Sequence, residues 1–427
     1  MRPPGRREQA WRPEGSSNEA PAMKKLLMLG GSDIQVHAIR RAVEMGLRVV
    51  TCDNRPENPG HAFAHEYHEV STTDLDGVLA LARSLGIDGV LAYASDPAAL
   101  PAAYVADHMG LPGDPLEAVR RAQDKLLLRA TQREVGLPVP DFVDASDTGA
   151  LMALRARHPQ GIIVKPADAS GSRGVNLVPG GAPTENACAA VRSALQFSRS
   201  RRAIAESIWG RDEELQFGAD ALVVDGLIRY IGFGDQIMSD ADGARINAAN
   251  IGPSTLTGGA KGEIERQAQT LVATLGLRSG VYNFDIRPDD SGKFAIIDFG
   301  ARIGGTLIAY RHQAVDGIDL VNACIRIALG QHVQQFIPRE KLRCAMMLVV
   351  RSSRSGVLRE VRFSREVRSS VLQSTISARP GDEVRPYRTS ADRLGVLIIR
   401  SDSRHLLNEI AAEPERFYTV VLEGDAT

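Results

Sequence analysis

Cysteine is scarce in this sequence of 427 residues, and the four cysteines are widely separated. Cys52, Cys188, Cys324 and Cys344 form no C-x-x-C pair and no Cys/His pair at the spacing that metal ligation needs. Most of them stand in apolar runs. These features argue against a disulfide framework and predict small buried side chains in a reducing compartment, so a cytoplasmic location is expected.

Long apolar runs and an excess of one charge are also missing. No stretch approaches the roughly 20 apolar residues that a membrane-spanning helix needs, so no membrane partner is expected. Lys plus Arg number 51 against 52 for Asp plus Glu, which gives a net charge of -1. This balance offers no electrostatic case for nucleic acid as the principal partner and favours small-molecule chemistry.

The first segment, residues 1–22, lacks the apolar core of a secretory signal. It is rich in Arg, Pro, Gly and Ser, and we expect a disordered tail that ends where Met23 opens a first strand. Two other interpretations stay open at this point, namely an over-long start of the chain and a functional basic arm.

A chain of this length exceeds one compact core and predicts two to four domains. Apolar strands alternate with helical patterns up to about residue 113, which is typical of a parallel sheet with right-handed crossovers. We therefore predict a small doubly wound α/β domain over 23–113. Gly30 and Gly31 in its first turn, with Asp53 after its second strand, leave open an NAD(P) or FAD site, although the turn is not G-x-G-x-x-G.

The segment VKPADASGSRGV, residues 164–175, places Lys165 at the end of an apolar strand and a small, flexible loop after it. Backbone N–H groups of such a loop can close over phosphate oxygens. It is not a Walker loop, and an exposed hairpin beside a surface lysine is the alternative. Lys125 supplies a second cation upstream. The strand with Glu206 is expected to expose an edge to adenine, and Glu214 or Gln216 to reach the ribose.

Two carboxylates, Asp285 and Asp298, lie on successive predicted strands that the turn DDSG joins. Carboxylates opposed across antiparallel strands repel each other unless a cation lies between them. Mg²⁺ accepts such a pair together with phosphate oxygens. Arg302 would add positive charge for a phosphoryl group in transfer. The alternative is that both acids merely flank the turn.

Taken in order, four motifs resemble the ATP-grasp superfamily: DK, VKPADASGSRGV, AESIWG, and YNFDI followed by IIDFGARIGG. The most similar branch holds biotin carboxylase, carbamoyl phosphate synthetase and the carboxylate–amine ligases. The resemblance implies a multidomain α/β and α+β fold. Its parts would be the N-terminal doubly wound parallel-sheet domain (23–113), an ATP-grasp domain (114–335) with a lid at about 140–205, and a small C-terminal α+β lobe (336–427).

The resemblance also implies a role for each matching residue. Phosphates would be held by Lys125 and Lys165, adenine would be bounded by backbone groups of Glu206 and Ile208, and Asp285 and Asp298 would bind the metal. Arg302 and Lys165 would act in catalysis. The loop residues implied to cover the phosphates are Ser170, Gly171, Ser172 and Gly174.

One position departs from the family pattern. The family usually reads Glu-x-Asn-Pro-Arg, whereas this chain has Asp298, Gly300 and Arg302 at the corresponding places. The carboxylate is one methylene shorter, and the asparagine that usually ligates metal is a glycine. A second metal ion should therefore be less well held.

The expected function is that of an ATP-dependent ligase, which joins a small carboxylate to an amine through an acyl phosphate and releases ADP and phosphate. Mg²⁺ is the expected metal, with Mn²⁺ as a substitute. The oligomeric state stays open, although the resemblance suggests a homodimer. A bicarbonate-activating carboxylase and a non-catalytic nucleotide-binding protein remain alternatives. Arg311 and His312 are candidates for gripping the substrate carboxylate or relaying a proton, or else are helix-surface residues.

Overall fold

A computed structural model of the protein describes residues 23–210, 216–241, 244–333 and 342–425. The tail predicted over 1–22 lies outside these residues, and so does Glu214. Among the helices within these ranges, none combines the length and the apolarity needed to cross a membrane.

The N-terminal unit is a parallel sheet with strand order β3-β2-β1-β4, as the alternating pattern predicts. Leu27 and Leu29 on one face and Leu26 and Met28 on the other are all buried, because helices or neighbouring elements cover both faces. The elements are β1 (Lys25–Leu29), α1 (Val36–Glu44), β2 (Arg48–Cys52), β3 (Glu66–His68), α2 (Leu75–Leu85), β4 (Gly89–Leu91) and α3 (Asp96–Met109).

Two helices, α4 (Leu116–Gln123) and α5 (Lys125–Glu134), connect this unit to the rest of the chain. Asp124 caps α5, because its carboxylate accepts from the N–H groups of Leu126 and Leu127. Asp114 stands just before α4 but does not cap that helix. Its carboxylate instead accepts from the Tyr282 hydroxyl at 2.7 Å and from two backbone N–H groups before strand 280–288.

The next unit is an antiparallel sheet with strand order β5-β8-β6-β7 and helices on one side. It falls largely within the predicted lid, although the domain boundaries themselves stay a prediction. The elements are β5 (Phe142–Asp144), α6 (Thr148–Arg157), β6 (Gly161–Pro166), β7 (Asn176–Pro179), α7 (Thr184–Phe197) and β8 (Ala203–Ser207).

A long antiparallel sheet forms the floor of the molecule, and its central hairpin turns at Asp225-Gly226 as the sequence VVDG predicts. Both turn residues have positive φ, which suits a tight hairpin. The elements up to residue 328 are β9 (Gln216–Val224), β10 (Leu227–Ala241), β11 (Ala244–Gly252), α8 (Gly258–Leu275), β12 (Gly280–Pro288), β13 (Phe294–Gly300), α9 (Ile308–Val315) and α10 (Leu320–Ala328).

The C-terminal segment extends this sheet. β11 pairs with β14, and the strand order becomes β13-β12-β9-β10-β11-β14-β18-β16. A separate small sheet has the order β17-β15-β19. The elements are β14 (Cys344–Val350), β15 (Gly356–Phe363), α11 (Arg365–Ser370), β16 (Val371–Ile376), β17 (Glu383–Val384), β18 (Gly395–Ser401), α12 (Arg404–Ala412) and β19 (Tyr418–Leu422).

Candidate active site

A cavity of about 310 Å³ lies above the long sheet, where four parts of the chain meet. The side chains of alternate residues on β9, β10, β12 and β13 share one face of the sheet and form its floor. The walls come from the N-terminal unit, from the loop after β6 and from the C-terminal segment. Residues that represent these four parts are Asp96, Ser170, Asp285 with Asp298, and Arg393. A second cavity adjoins it and is lined by Lys125, Asp285, Asp298, Gly300 and Arg302 among others.

The two predicted metal carboxylates lie directly opposite each other, because β12 and β13 pair in a register that joins Asp285 to Asp298. Burial, with the neighbouring Asp298 as the second cause, raises the pKa of Asp285 to about 6. Burial also acts to raise the pKa of Asp298, but Lys125 and Lys165 outweigh it and hold that pKa below its usual range. The pair thus stores charge repulsion that a cation would relieve.

Lys125 reaches this pair from the start of α5. Its Nζ lies 3.1 Å from Oδ1 of Asp298 and 3.2 Å from the carbonyl oxygen of Ala169. The second contact joins the lysine to the loop after β6. Lys125 is therefore placed between the loop predicted to cover phosphates and the carboxylate predicted to bind metal.

Lys165 contacts a different carboxylate, that of Glu206, at 2.7 Å. Arg129 binds the other oxygen of Glu206 at 2.8 Å, and both members of this second pair are almost fully buried. Burial acts to raise the pKa of Glu206, yet Arg129 and Lys165 together lower it. Arg129 was not found from the sequence, because a lone arginine on α5 carries no motif.

The prediction that the strand with Glu206 exposes an edge is wrong. β8 pairs with β5 on one side and with β6 on the other, so it lies inside its sheet. The side chain of Glu206 binds two cations instead of facing solvent. Ile208 follows the last residue of β8 and is half-buried, where the chain leaves this sheet for the floor.

The loop after β6 has the backbone that its small residues predict. Gly171, Ser172 and Gly174 all have positive φ, and Ser170 and Gly171 line both cavities. Asp168 anchors the start of the loop, because its carboxylate accepts hydrogen bonds from Ser198 and from the N–H groups of residues 199 and 200. The loop is thereby held above the floor of the site.

Arg302 does not extend freely into the cavity. Its Nη2 lies 2.5 Å from Oδ2 of Asp96, the first residue of α3, and its Nη1 donates to the carbonyl oxygen of Ile303 at 3.1 Å. A Cβ added to Gly300 would lie 2.9 Å from both Cζ and Nη1 of Arg302. The guanidinium therefore occupies the space that a side chain at position 300 would need.

Two amides are connected to Asp285, and one of them, Gln236, was missed from the sequence. Gln236 on β10 donates from Nε2 to Oδ1 of Asp285 at 2.7 Å, and Gln216 on β9 donates to the oxygen of Gln236 at 2.7 Å. Gln216 was predicted to reach a ribose, whereas here it supports Gln236. Only the strand register brings Gln236 to Asp285, so no sequence signal could have found this contact.

Arg311 and His312 are neither surface residues nor lining residues of the cavity, and both are buried. His312 lies 3.1 Å from Asp220, and its other ring nitrogen lies 2.9 Å from the hydroxyl of Tyr230. Burial, followed by the neighbouring Arg311, lowers the pKa of His312. Asp220 lines the cavity and accepts from the N–H of Gly304 at 2.7 Å, so this network supports the cavity wall from behind.

The glycine turn after β1 is filled by the chain's own side chains. A Cβ on Gly30 would lie 2.4 Å from Oε1 of Gln35, and one on Gly31 would lie 2.3 Å from the ring of His61. Gln35 also donates to the carbonyl oxygens of Leu29 and Tyr93 at 3.0 Å. These contacts occupy the place where a dinucleotide pyrophosphate would approach the backbone, which argues against the NAD(P) or FAD interpretation.

Two family models match the chain. Residues 124–336 match the ATP-binding domain of the carbamoyl-phosphate synthase L chain, and residues 348–417 match the C-terminal domain 2 of L-amino acid ligase. Together with the fold and the order of the site residues, these matches confirm the resemblance. The chain is an ATP-grasp protein of the branch that holds these two families.

Individual curated relatives match the chain at low sequence identity and over only part of its length. Formate-dependent phosphoribosylglycinamide formyltransferase from Burkholderia thailandensis is 27% identical over 173 residues, which are 39% of this chain and 42% of that protein. The match thus spans less than half of that relative's length.

Solved structures share the fold over nearly the whole chain. L-amino acid ligase from Bacillus licheniformis gives a TM-score of 0.80 at 20% identity and covers 94% of this chain and 99% of its own. A second structure is the biotin carboxylase domain of 2-oxoglutarate carboxylase from Hydrogenobacter thermophilus, solved with MgADP and bicarbonate. It gives a TM-score of 0.73 at 15% identity, and the match covers 93% of this chain and 90% of that domain's chain. Identities this low establish the fold alone.

Proposed function

We propose that the protein is an ATP-dependent carboxylate–amine ligase, which forms an amide through an acyl phosphate and releases ADP and phosphate. One observation carries the proposal: Asp285 and Asp298 face each other at a cavity that Lys125 and Arg302 also line. Paired carboxylates with converging cations fit a metal–triphosphate complex, in which both signs of charge must be balanced.

Nucleotide binding is assigned to the interface between the sheet of β5–β8 and the floor. Lys125 and Lys165 would contact phosphate oxygens, and residues 170–174 would cover them with backbone N–H groups. Backbone groups near Glu206 and Ile208 would bound the adenine. The biotin carboxylase domain solved with MgADP supports this assignment through its shared fold.

The residues present fit a divalent cation. Asp285 and Asp298 are opposed, and the pKa of Asp285 is raised first by burial and then by repulsion from Asp298, which a bound cation would offset. The two acids would hold Mg²⁺, or Mn²⁺ in its place, while phosphate and water oxygens complete the octahedral shell. The bound ion would polarise the phosphoryl oxygens and neutralise charge during transfer.

The first chemical step would be attack of a substrate carboxylate oxygen on the γ-phosphorus, with cleavage of its bond to the β–γ bridging oxygen and departure of ADP. Arg302 would stabilise the negative charge on the transferring group. The amine nitrogen would then attack the acyl carbon, and inorganic phosphate would leave. The covering loop would exclude water, because water competes with the amine for the acyl phosphate.

The identity of the acid and the amine is the open part of the proposal, and an ADP-release screen tests it. Purified protein with MgATP would be offered pairs of small carboxylates, amino acids first, and amines. We expect ADP formation that requires one acid and that yields an amide detectable by mass spectrometry. ATP binding without ADP release across the whole panel would instead support the non-catalytic alternative.

A bicarbonate-activating carboxylase is separated by labelled bicarbonate. If the label enters the product, the carboxylase alternative replaces the ligase. ADP release that depends strictly on an organic acid would oppose that alternative.

The homodimer and the cytoplasmic location belong to the same proposal. Light scattering of the purified chain, and localisation of a tagged chain, would check them.

A further inference from the structure

At position 300 the site contains a positive charge in addition to the two carboxylates. Asp298 and Gly300 are separated by one residue on β13, so their Cα–Cβ directions point to the same face of the sheet. Gly300 has no side chain of its own on that face. The guanidinium of Arg302 fills the space, with Cζ and Nη1 each 2.9 Å from where a Cβ would stand.

The guanidinium is fixed in this place. Asp96, which belongs to the N-terminal unit, lies 2.5 Å from Nη2 of Arg302. Nη1 of Arg302 donates to the carbonyl oxygen of the next residue, Ile303. The arginine side chain is 14% exposed and that of Asp96 is 20% exposed. Nε of Arg302 is buried without a hydrogen-bond partner. Asp96 is thus a positioning residue for the charge, and it lines the same cavities as the two acids.

The negative charge of Asp285 and Asp298 is therefore already partly balanced by the guanidinium of Arg302. Arg302 lines both cavities together with Asp285 and Asp298. A divalent cation beside Gly300 would meet a monovalent cation that cannot move away without breaking its pair with Asp96. The repulsion grows as the separation falls and is strongest where water is excluded.

We propose that the guanidinium of Arg302, seated over Gly300 and held by Asp96, is a fixed cation that takes the place of a second metal ion. The site then binds nucleotide with a single divalent cation per chain, held by Asp285 and Asp298. This inference rests on the nucleotide site of the proposed function, but it concerns the number of cations and not turnover.

The test counts bound Mn²⁺ by electron paramagnetic resonance of the free ion, with the full-length chain and the non-hydrolysable β,γ-imido analogue of ATP. The wild-type chain should bind one Mn²⁺ together with the analogue. Two Mn²⁺ ions of similar affinity would overturn the inference and leave the ligase proposal standing. If the analogue does not bind at all, both are overturned.

A matched pair of variants isolates the charge. Arg302→Met and Arg302→Lys both remove the guanidinium and its geometry, but only the lysine keeps a positive charge. Arg302→Met should bind a second Mn²⁺ roughly tenfold more tightly than the wild-type chain does, or better. Arg302→Lys should still bind one ion. If both variants bind the same number of ions, the arginine is only a structural bridge to Asp96 and the inference is wrong.

The second-ion affinity can be read only from folded protein. Retained binding of the analogue with its first Mn²⁺ shows that a variant is folded. Gly262→Ala, a glycine substitution on the remote helix α8 where the nearest atom lies 3.6 Å from the new Cβ, serves as the unperturbed control. Its cation count should equal that of the wild-type chain.

Discussion

Gln236 holds Asp285 from a neighbouring part of the floor, with its Nε2 2.7 Å from Oδ1 of the carboxylate. This hydrogen bond favours the charged form of Asp285 and opposes the burial that raises its pKa. The carboxylate would otherwise lie among buried groups next to a second acid. The amide of Gln236 can therefore govern how readily the acid pair takes up a cation.

Replacing this amide should weaken metal binding. Gln236→Leu keeps the size of the side chain but removes the donor, and we expect the Mg²⁺ concentration for half-maximal nucleotide binding to rise roughly tenfold. Isothermal titration at several Mg²⁺ concentrations would measure it. Gln160→Leu, at an exposed position, is the control. An unchanged Mg²⁺ requirement in Gln236→Leu would show that Asp285 does not ligate the metal.

Lys165→Ala should weaken ATP binding, because it removes charge-assisted contacts to phosphate. A rise in Kd for MgATP of roughly tenfold or more is expected. Asp298→Asn should instead spare nucleotide binding more than turnover. The exposed Lys293→Ala, in the turn between β12 and β13, is a matched control. Wild-type affinity in Lys165→Ala would mean that the phosphates lie elsewhere.

Gly300→Asn should lower activity and not raise it. The new side chain would need the space that the guanidinium fills, so Arg302 would have to leave Asp96. We expect the rate of ADP release to fall roughly tenfold or more, as when one preorganised charge is lost. Gly262→Asn on α8 controls for the substitution itself. A gain in rate would identify the glycine as a decayed metal ligand.

Arg129→Met should destabilise the fold. The Arg129–Glu206 pair is buried, with side chains 0% and 2% exposed, and removing one partner leaves a buried charge with weaker compensation. A loss of about 3 kcal/mol in the free energy of unfolding is expected. Glu206→Gln in the same chain should recover part of it. Urea unfolding measures both, and simple additivity of the two losses would contradict a paired role.

Local patterns of the sequence determined the elements and the order of the motifs. The doubly wound start, the DDSG turn and the glycine-rich loop all follow from residues close together in the chain, whose backbone preferences act locally. The opposition of Asp285 and Asp298 was also foreseen, because a short turn joins their strands. Family models over 124–336 and 348–417 confirm the class that these motifs indicated.

Contacts between distant segments could not be read in the same way. The edge expected at Glu206 is wrong because β5, far earlier in the chain, covers it. Asp114 stands just before α4, yet its carboxylate accepts from Tyr282, 168 positions away. His312 is held behind the cavity by Asp220 and Tyr230, and Arg311 by the carbonyl oxygen of Phe233, all of which only the strand pairing brings near.

The sequence by itself determined that this protein has an ATP-grasp fold with paired acids, two lysines and a covering loop, because those features are encoded by residue type and spacing. Only the tertiary structure decided what Gly300 does. Asp96 and Arg302 are 206 positions apart, and their contact exists because α3 packs against the end of the floor. Packing between remote segments placed a fixed charge where a family side chain would stand, and no local pattern records such a placement.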